Sequence, residues 1–237
     1  YGETTVNYNR DVEIFPVLNA IFEKITGGES PYKSPTDMGV NMAGNCITDD
    51  EAVREASKQE IVRRYYQAMC DRRQGRGDEE TVVKVELLMK QAGIDTDIRK
   101  VVSAANEVAE ETGHPGAAIE LPDGKVVTGK TSALLGASSA ALLNALKQLG
   151  GIRDNVHLIS PIIIEPIQDL KVNHLGNNNP RLHMDETLIA LAMAAATNPT
   201  AELAMKQLEK LKGCEAHSSV ILSQVDDSIY KKLGMNL

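Results

Sequence analysis

The chain has 237 residues, 42% of them hydrophobic and 24% charged, with a formal net charge of −8 at pH 7. Such a balance predicts a soluble globular protein with a sizeable core, and it argues against a general nucleic-acid or anionic-membrane surface. With no Trp, two Phe and six Tyr the core must be aliphatic, and no apolar run reaches the ~18 residues of a membrane span.

The three cysteines, Cys46, Cys70 and Cys214, are an odd count at wide spacing. That suits a reducing cytosol better than a disulfide framework or a zinc ribbon. No signal peptide is visible, so the expected location is cytoplasmic. The chain begins at Tyr1 in mid-pattern and reads as a piece of something longer.

Residues 1–113 read as a mostly helical subdomain. From Asp11 to Ile25, Val17, Leu18, Ile21, Phe22 and Ile25 share one helical face, with Pro16 tolerable near the first turn. Gly27 and Gly28 end this helix. A polar, glycine-bearing loop fills 29–47. Thr48-Asp49-Asp50-Glu51 is a capping box that opens a long helix to about Arg73. After the break Gln74-Gly75-Arg76-Gly77, two helices are expected near 78–92 and 96–112, punctuated by Gly93 and Gly113.

Residues 114–237 read as an α/β domain in which short strands alternate with helices. A hairpin is expected first, 117–121 and 125–129, around the turn Pro122-Asp123-Gly124. A small-residue helix follows at 133–149. Val156 to Ser160 has the pattern of a buried strand, and 161–172 is interrupted by proline. The loop Gly176 to Arg181 leads to a helix from about Asp185 to Thr197. Asn198 caps a further helix with Pro199 at its first position. Ser218 to Leu222 is the last expected strand, before a short C-terminal helix.

Gly124 to Thr131, Gly-Lys-Val-Val-Thr-Gly-Lys-Thr, matches the phosphate-loop pattern G-x-x-x-x-G-K-[ST] letter for letter. A working phosphate loop needs a strand, then a glycine-rich cradle, then a helix start. The interior Lys-Val-Val-Thr is rich in stiff, strand-favouring β-branched residues, and Pro-Asp-Gly precedes it. The competing reading is the hairpin, with Gly124 in its turn. Even then, Gly129-Lys130-Thr131-Ser132 could meet an anion at the next helix start.

Gly116-Ala117-Ala118-Ile119, Asp123-Gly124, Gly129 and the small-residue helix resemble, over about fifty residues, the core of the cytidine-deaminase-like fold. That likeness implies a mixed sheet flanked by helices. The zinc motif is absent: the helix offers Ala137-Ser138-Ser139-Ala140-Ala141 in place of H-x-E, and no C-x-x-C occurs. Longer strings point elsewhere. They are Ser34-Pro35-Thr36-Asp37-Met38-Gly39-Val40-Asn41-Met42-Ala43-Gly44, Gly129 to Ser132 with Leu135 to Ala140, and Asn179-Pro180-Arg181-Leu182-His183. Glu165-Pro166-Ile167-Gln168, Ala216-His217-Ser218 and Ser223-Gln224-Val225-Asp226 complete the set. Together they resemble an uncharacterised bacterial family, the domain of unknown function eighteen forty-six. Its members are longer, so the resemblance implies the C-terminal part of such a protein, with the absent N-terminal region as a partner. It carries no activity over, and the cofactor stays unknown.

Candidate site residues therefore rest on their chemistry. Ser34, Thr36, Asp37 and Asn41 lie in a Gly-rich polar loop suited to close approach by a ligand, or to turns and caps. Lys130, Thr131, Ser132, Ser138 and Ser139 surround a helix start. Asn179 and Arg181 offer an amide and a fork for phosphate or carboxylate. His183, with Asp185 and Asp37, could do acid–base work. The bland reading pairs Arg181 with Asp185 and Glu186 at a helix end. Cys214 and His217 are either a nucleophile pair or a buried structural cysteine with a neighbour. The cluster Arg63, Arg64, Arg72, Arg73 and Arg76 reads as a solvated face balanced by carboxylates. Three functions stay open: a small-molecule site for a phosphorylated or nucleotide-like anion between the helical and α/β parts; a structural or homo-oligomerisation domain; and a P-loop-type nucleotide hydrolase.

Overall fold

The computed structural model describes residues 8–32 and 49–237. The chain divides into two compact units, Tyr1–Ile98 and Arg99–Leu237. The helix that ends at Thr112 falls in the second unit because it packs on the sheet that follows it.

The first unit is helical in its described residues: α1 (Tyr8–Thr26), α2 (Asp50–Arg73), α3 (Glu79–Ala92) and a 3-10 turn at Thr96–Ile98. Pro16 lies in the interior of α1 and not in its first turn, as the helix starts earlier than expected. The cap of α2 is Asp49, whose carboxylate accepts the Ala52 N–H at 2.9 Å. Asp78 caps α3 in the same way through Thr81, and Gly93 ends it at φ 62°. Carboxylates of α2 and of the next helix meet the arginines. Arg63 and Arg64 both reach Glu60, Arg72 pairs with Glu79, and Arg76 with Asp71. Ile61, Val62, Tyr66 and Cys70 are buried.

The second unit is built on three antiparallel strands: β1 (Gly116–Glu120), β2 (Val126–Lys130) and β3 (Glu215–Ser218), in the order β2-β1-β3. Around them run α4 (Lys100–Thr112), α5 (Ala137–Leu149), α6 (Pro161–Asp169) with a π-helical turn Leu170–His174, α7 (Met184–Ala195), α8 (Pro199–Met205), a 3-10 turn Leu208–Leu211 and α9 (Gln224–Lys232). Two glycines show how close the layers come. A Cβ on Gly116 would sit 2.3 Å from the Ala105 carbonyl of α4, and one on Gly129 would sit 2.1 Å from the Ala141 nitrogen of α5. Gly116 pairs with Lys130 and Gly129 with Ala117, so these two positions point to opposite faces. The sheet is thus sandwiched, with α4 on one face and α5 on the other. Val101, Ala105 and Ala118 form the core on the α4 side.

Four expectations are corrected. Among the described residues the sheet is wholly antiparallel and small, so the mixed, deaminase-like core is not borne out. Residues 156–160 form no strand; Ser160 caps α6, with Pro161 at its first position. The last strand is Glu215–Ser218, not 218–222, because the ladder with β1 ends where Ser219 exchanges two hydrogen bonds with Gly116. The fourth is the alternative of a phosphate loop, which gives way to the expected hairpin. Gly124 occupies the hairpin turn at φ 81°, while Gly129 and Lys130 lie in a paired strand whose glycine is pressed against a helix. Those backbone groups form no cradle.

Candidate functional site

Two loops of the second unit are zipped together. After β2, the Thr131 N–H donates to the Pro115 carbonyl, extending the hairpin by one residue. The Ser132 hydroxyl then accepts from the N–H groups of Leu134 and Leu135, closing a tight turn. The Leu182 N–H donates to Leu134, and the Leu182 carbonyl accepts from the Gly136 N–H at 3.2 Å and the Ser139 hydroxyl at 3.0 Å. The start of α5 is thereby fixed against the residue that precedes His183.

His183 is the N-cap of α7. Its N–H donates to Glu186 Oε2 at 2.9 Å, which satisfies one of the orphan donors at the helix start. The same Glu186 oxygen receives Lys171 Nζ at 2.6 Å, and Lys171 also donates to the Arg181 carbonyl at 2.6 Å. Lys171 is buried, held by the π-helical turn. From the other side comes Asp226, in the first turn of α9. Its Oδ1 accepts the Met184 N–H at 2.9 Å, and its Oδ2 lies 3.0 Å from His183 Nδ1. Ser223, the N-cap of α9, donates to the same Oδ2 at 3.3 Å.

The electrostatics follow. The hydrogen bond that His183 donates to Asp226 raises the His183 pKa above the ordinary histidine value; partial burial and the Lys171 charge oppose it. The His183 side chain keeps 32% of its surface exposed, against 13% for Asp226. With Nδ1 committed to a buried carboxylate, Nε2 is the nitrogen left for exchange with solvent or ligand. A histidine oriented by a carboxylate is the arrangement that proton transfer uses.

The sequence candidates divide as follows. Arg181 is exposed and its Nε donates to the Ser132 carbonyl at 2.7 Å, joining two candidates directly. This replaces the expected Arg181 pairing with Asp185 and Glu186, because Lys171 takes Glu186. Asn179 accepts from the Arg181 N–H and so shapes the loop. Asp185 accepts the Glu186 N–H within the first turn of α7. Ser138 and Ser139 are buried; Ser139 is spent on Leu182, and Ser138 faces the phenol of the fully buried Tyr230. Lys130 is exposed at the end of β2. Ser34, Thr36, Asp37 and Asn41 lie outside the described residues. Cys214 is buried and donates to the Lys210 carbonyl, and burial raises its pKa; buried His217 is pushed down to about 3. A thiol held protonated and a histidine held neutral are the reverse of an activated pair.

Sequence reasoning missed Lys171 and Asp226 as site residues. Asp226 had a signal: Ser223-Gln224-Val225-Asp226 has capping-box spacing. Lys171, between two apolar residues, had none.

Known proteins place the chain. The N-terminal model of the domain of unknown function DUF1846 matches residues 1–93, and the C-terminal model matches residues 97–237. This corrects the expectation that the chain corresponds to the family's C-terminal part alone. The chain is 57% identical to UPF0371 protein cu0538 of Corynebacterium urealyticum over 235 residues, 99% of this chain and 47% of that protein. It is 58% identical to UPF0371 protein stu1377 of Streptococcus thermophilus over 237 residues, all of this chain and 48% of that protein. The chain therefore spans about half the length of these relatives. No helix among the described residues is long and apolar enough to cross a membrane. On these matches the chain belongs to the uncharacterised DUF1846 family, and its two units correspond closely to that family's two domain models.

Proposed function

We propose that the second unit carries a small-molecule site at His183, taking a phosphorylated or nucleotide-like anion. The observation that carries this reading is the His183–Asp226 pair at 3.0 Å, a half-exposed imidazole held by a buried carboxylate. Protonated, His183 is a cation beside the start of α7; neutral, its Nε2 is a base. Arg181 adds a guanidinium two residues away. Its Nε is fixed on Ser132, so its two terminal nitrogens keep a defined direction for an oxyanion. Lys130, Thr131 and Ser132 supply the adjoining strand end and turn.

A thermal-shift screen with inorganic phosphate, sugar phosphates and nucleotides tests it. Ligand at 100 times its dissociation constant adds about 2.7 kcal/mol of stability. The expected result is a shift with a phosphorylated compound that is lost in Arg181→Ala and in His183→Gln. No shift with any of them on folded protein speaks against the site.

A second reading is favoured by one specific observation. Asp226 and Glu186 already bond the first N–H groups of α7, so the positive helix end has its own anions. On that reading the hub only braces α7 against α9, and substitutions lower stability without any ligand response.

A further inference from the structure

A second recess lies in the α/β unit, apart from His183. It has a volume of about 160 Å³ and is walled by Leu135, Leu143, Ile159 and Ile164, with Lys147 and His157 also lining it. That is room on the order of five water-sized volumes. Lys147 is in the last turn of α5 and is only 8% exposed. Its Nζ donates to the Asp154 carbonyl at 2.9 Å, so the amine is held by a neutral acceptor. Burial lowers its pKa from the ordinary lysine value, with the Asp154 charge opposing. A desolvated lysine in an apolar recess is the setting in which an amine acts as a nucleophile.

We propose that this recess binds a short aliphatic aldehyde, which condenses with Lys147. The wall of leucine and isoleucine side chains takes the hydrocarbon, and Lys147, released from the Asp154 carbonyl, turns its amine to the aldehyde carbon. In the step, the Nζ lone pair forms a bond to the carbonyl carbon. The two amine protons pass to the carbonyl oxygen, that oxygen leaves as water, and a C=N bond remains. No oxidant or cofactor is consumed.

Borohydride trapping on the chain as it stands tests this. The protein is treated at pH 7 with isovaleraldehyde or with the bulkier pyridoxal, reduced, digested and mapped by mass spectrometry. The proposal expects isovaleraldehyde to label Lys147 about tenfold faster than the exposed Lys130 and Lys232, because an aldehyde seated in the recess meets its amine as an intramolecular reactant. It expects pyridoxal, whose polar aromatic ring does not match the apolar wall, to label the exposed lysines and spare Lys147. Equal labelling of all three lysines by isovaleraldehyde, protection of Lys147, or labelling of Lys147 by both aldehydes alike would overturn it.

Discussion

Asp226 holds His183 and the start of the helix that His183 caps with a single carboxylate. One oxygen lies 3.0 Å from His183 Nδ1 and the other accepts the Met184 N–H at 2.9 Å. Imidazole orientation and helix initiation are therefore coupled. Substituting Asp226 by Asn should return the His183 pKa toward about 6.5 and remove about 1.5–3 kcal/mol of stability, the range for a hydrogen bond to a charged group. A proton NMR titration of His183 together with urea unfolding measures both; an unchanged titration would mean the pair does not form in solution.

The same pair sets a pH dependence. The folded pKa of His183 is raised, so its contribution is fully present below the unfolded value near 6.5 and is lost as pH rises through the folded value. Unfolding free energy measured across that window should fall with rising pH in the native chain. His183→Gln should flatten this component, while leaving the Lys171–Glu186 pair in place.

His217 acts in the opposite sense. It is buried on β3, and its folded pKa is pushed down to about 3 by burial and by the Arg99 charge. Between about pH 6.5 and 3 the unfolded chain binds a proton that the folded chain does not, so acid removes stability with a limiting slope of about 1.4 kcal/mol per pH unit. Replacing His217 by Phe should reduce that slope below pH 6. Acid unfolding curves that superpose for the two proteins would contradict the assignment.

Gly129 and Gly124 separate packing from phosphate binding. An alanine at Gly129 would put its Cβ 2.1 Å from the Ala141 backbone nitrogen, so the strand and α5 must move apart. Gly129→Ala should cost about 3 kcal/mol or more, at the upper end of overpacking effects. Gly124→Ala meets no atom within 4 Å and suffers only its positive φ, a loss of about 1–2 kcal/mol. Lys130→Ala, on an exposed strand end, should leave the melting temperature within error. Thermal melts decide all three.

Much of the local structure was legible in the sequence. Pro122-Asp123-Gly124 announced a turn, Asn198-Pro199 a helix start, and Gly93 and Gly113 two helix ends, because these residues act through their own backbone preferences. What failed depended on distant partners. Val156 to Ser160 reads as a buried strand, yet Ser160 is drawn off as the cap of α6, with Pro161 opening that helix. Val220 to Leu222 is more strand-like than Glu215 to Ser218, but the register with Gly116 decides which segment pairs. His183 stood out by its neighbours in sequence, whereas its partner Asp226 is 43 residues away and Lys171 is brought in by a π-helical turn.

The most direct measurement of the proposed function follows the His183 ring by NMR during titration with pyrophosphate and with a nucleoside monophosphate. A bound anion stabilises the imidazolium, so the account predicts a saturable shift of the His183 resonance and a further rise in its pKa, both lost in Arg181→Ala. A His183 resonance and pKa indifferent to every anion, in a folded protein whose His183–Asp226 pair is intact, would contradict it and leave the hub as a brace between α7 and α9.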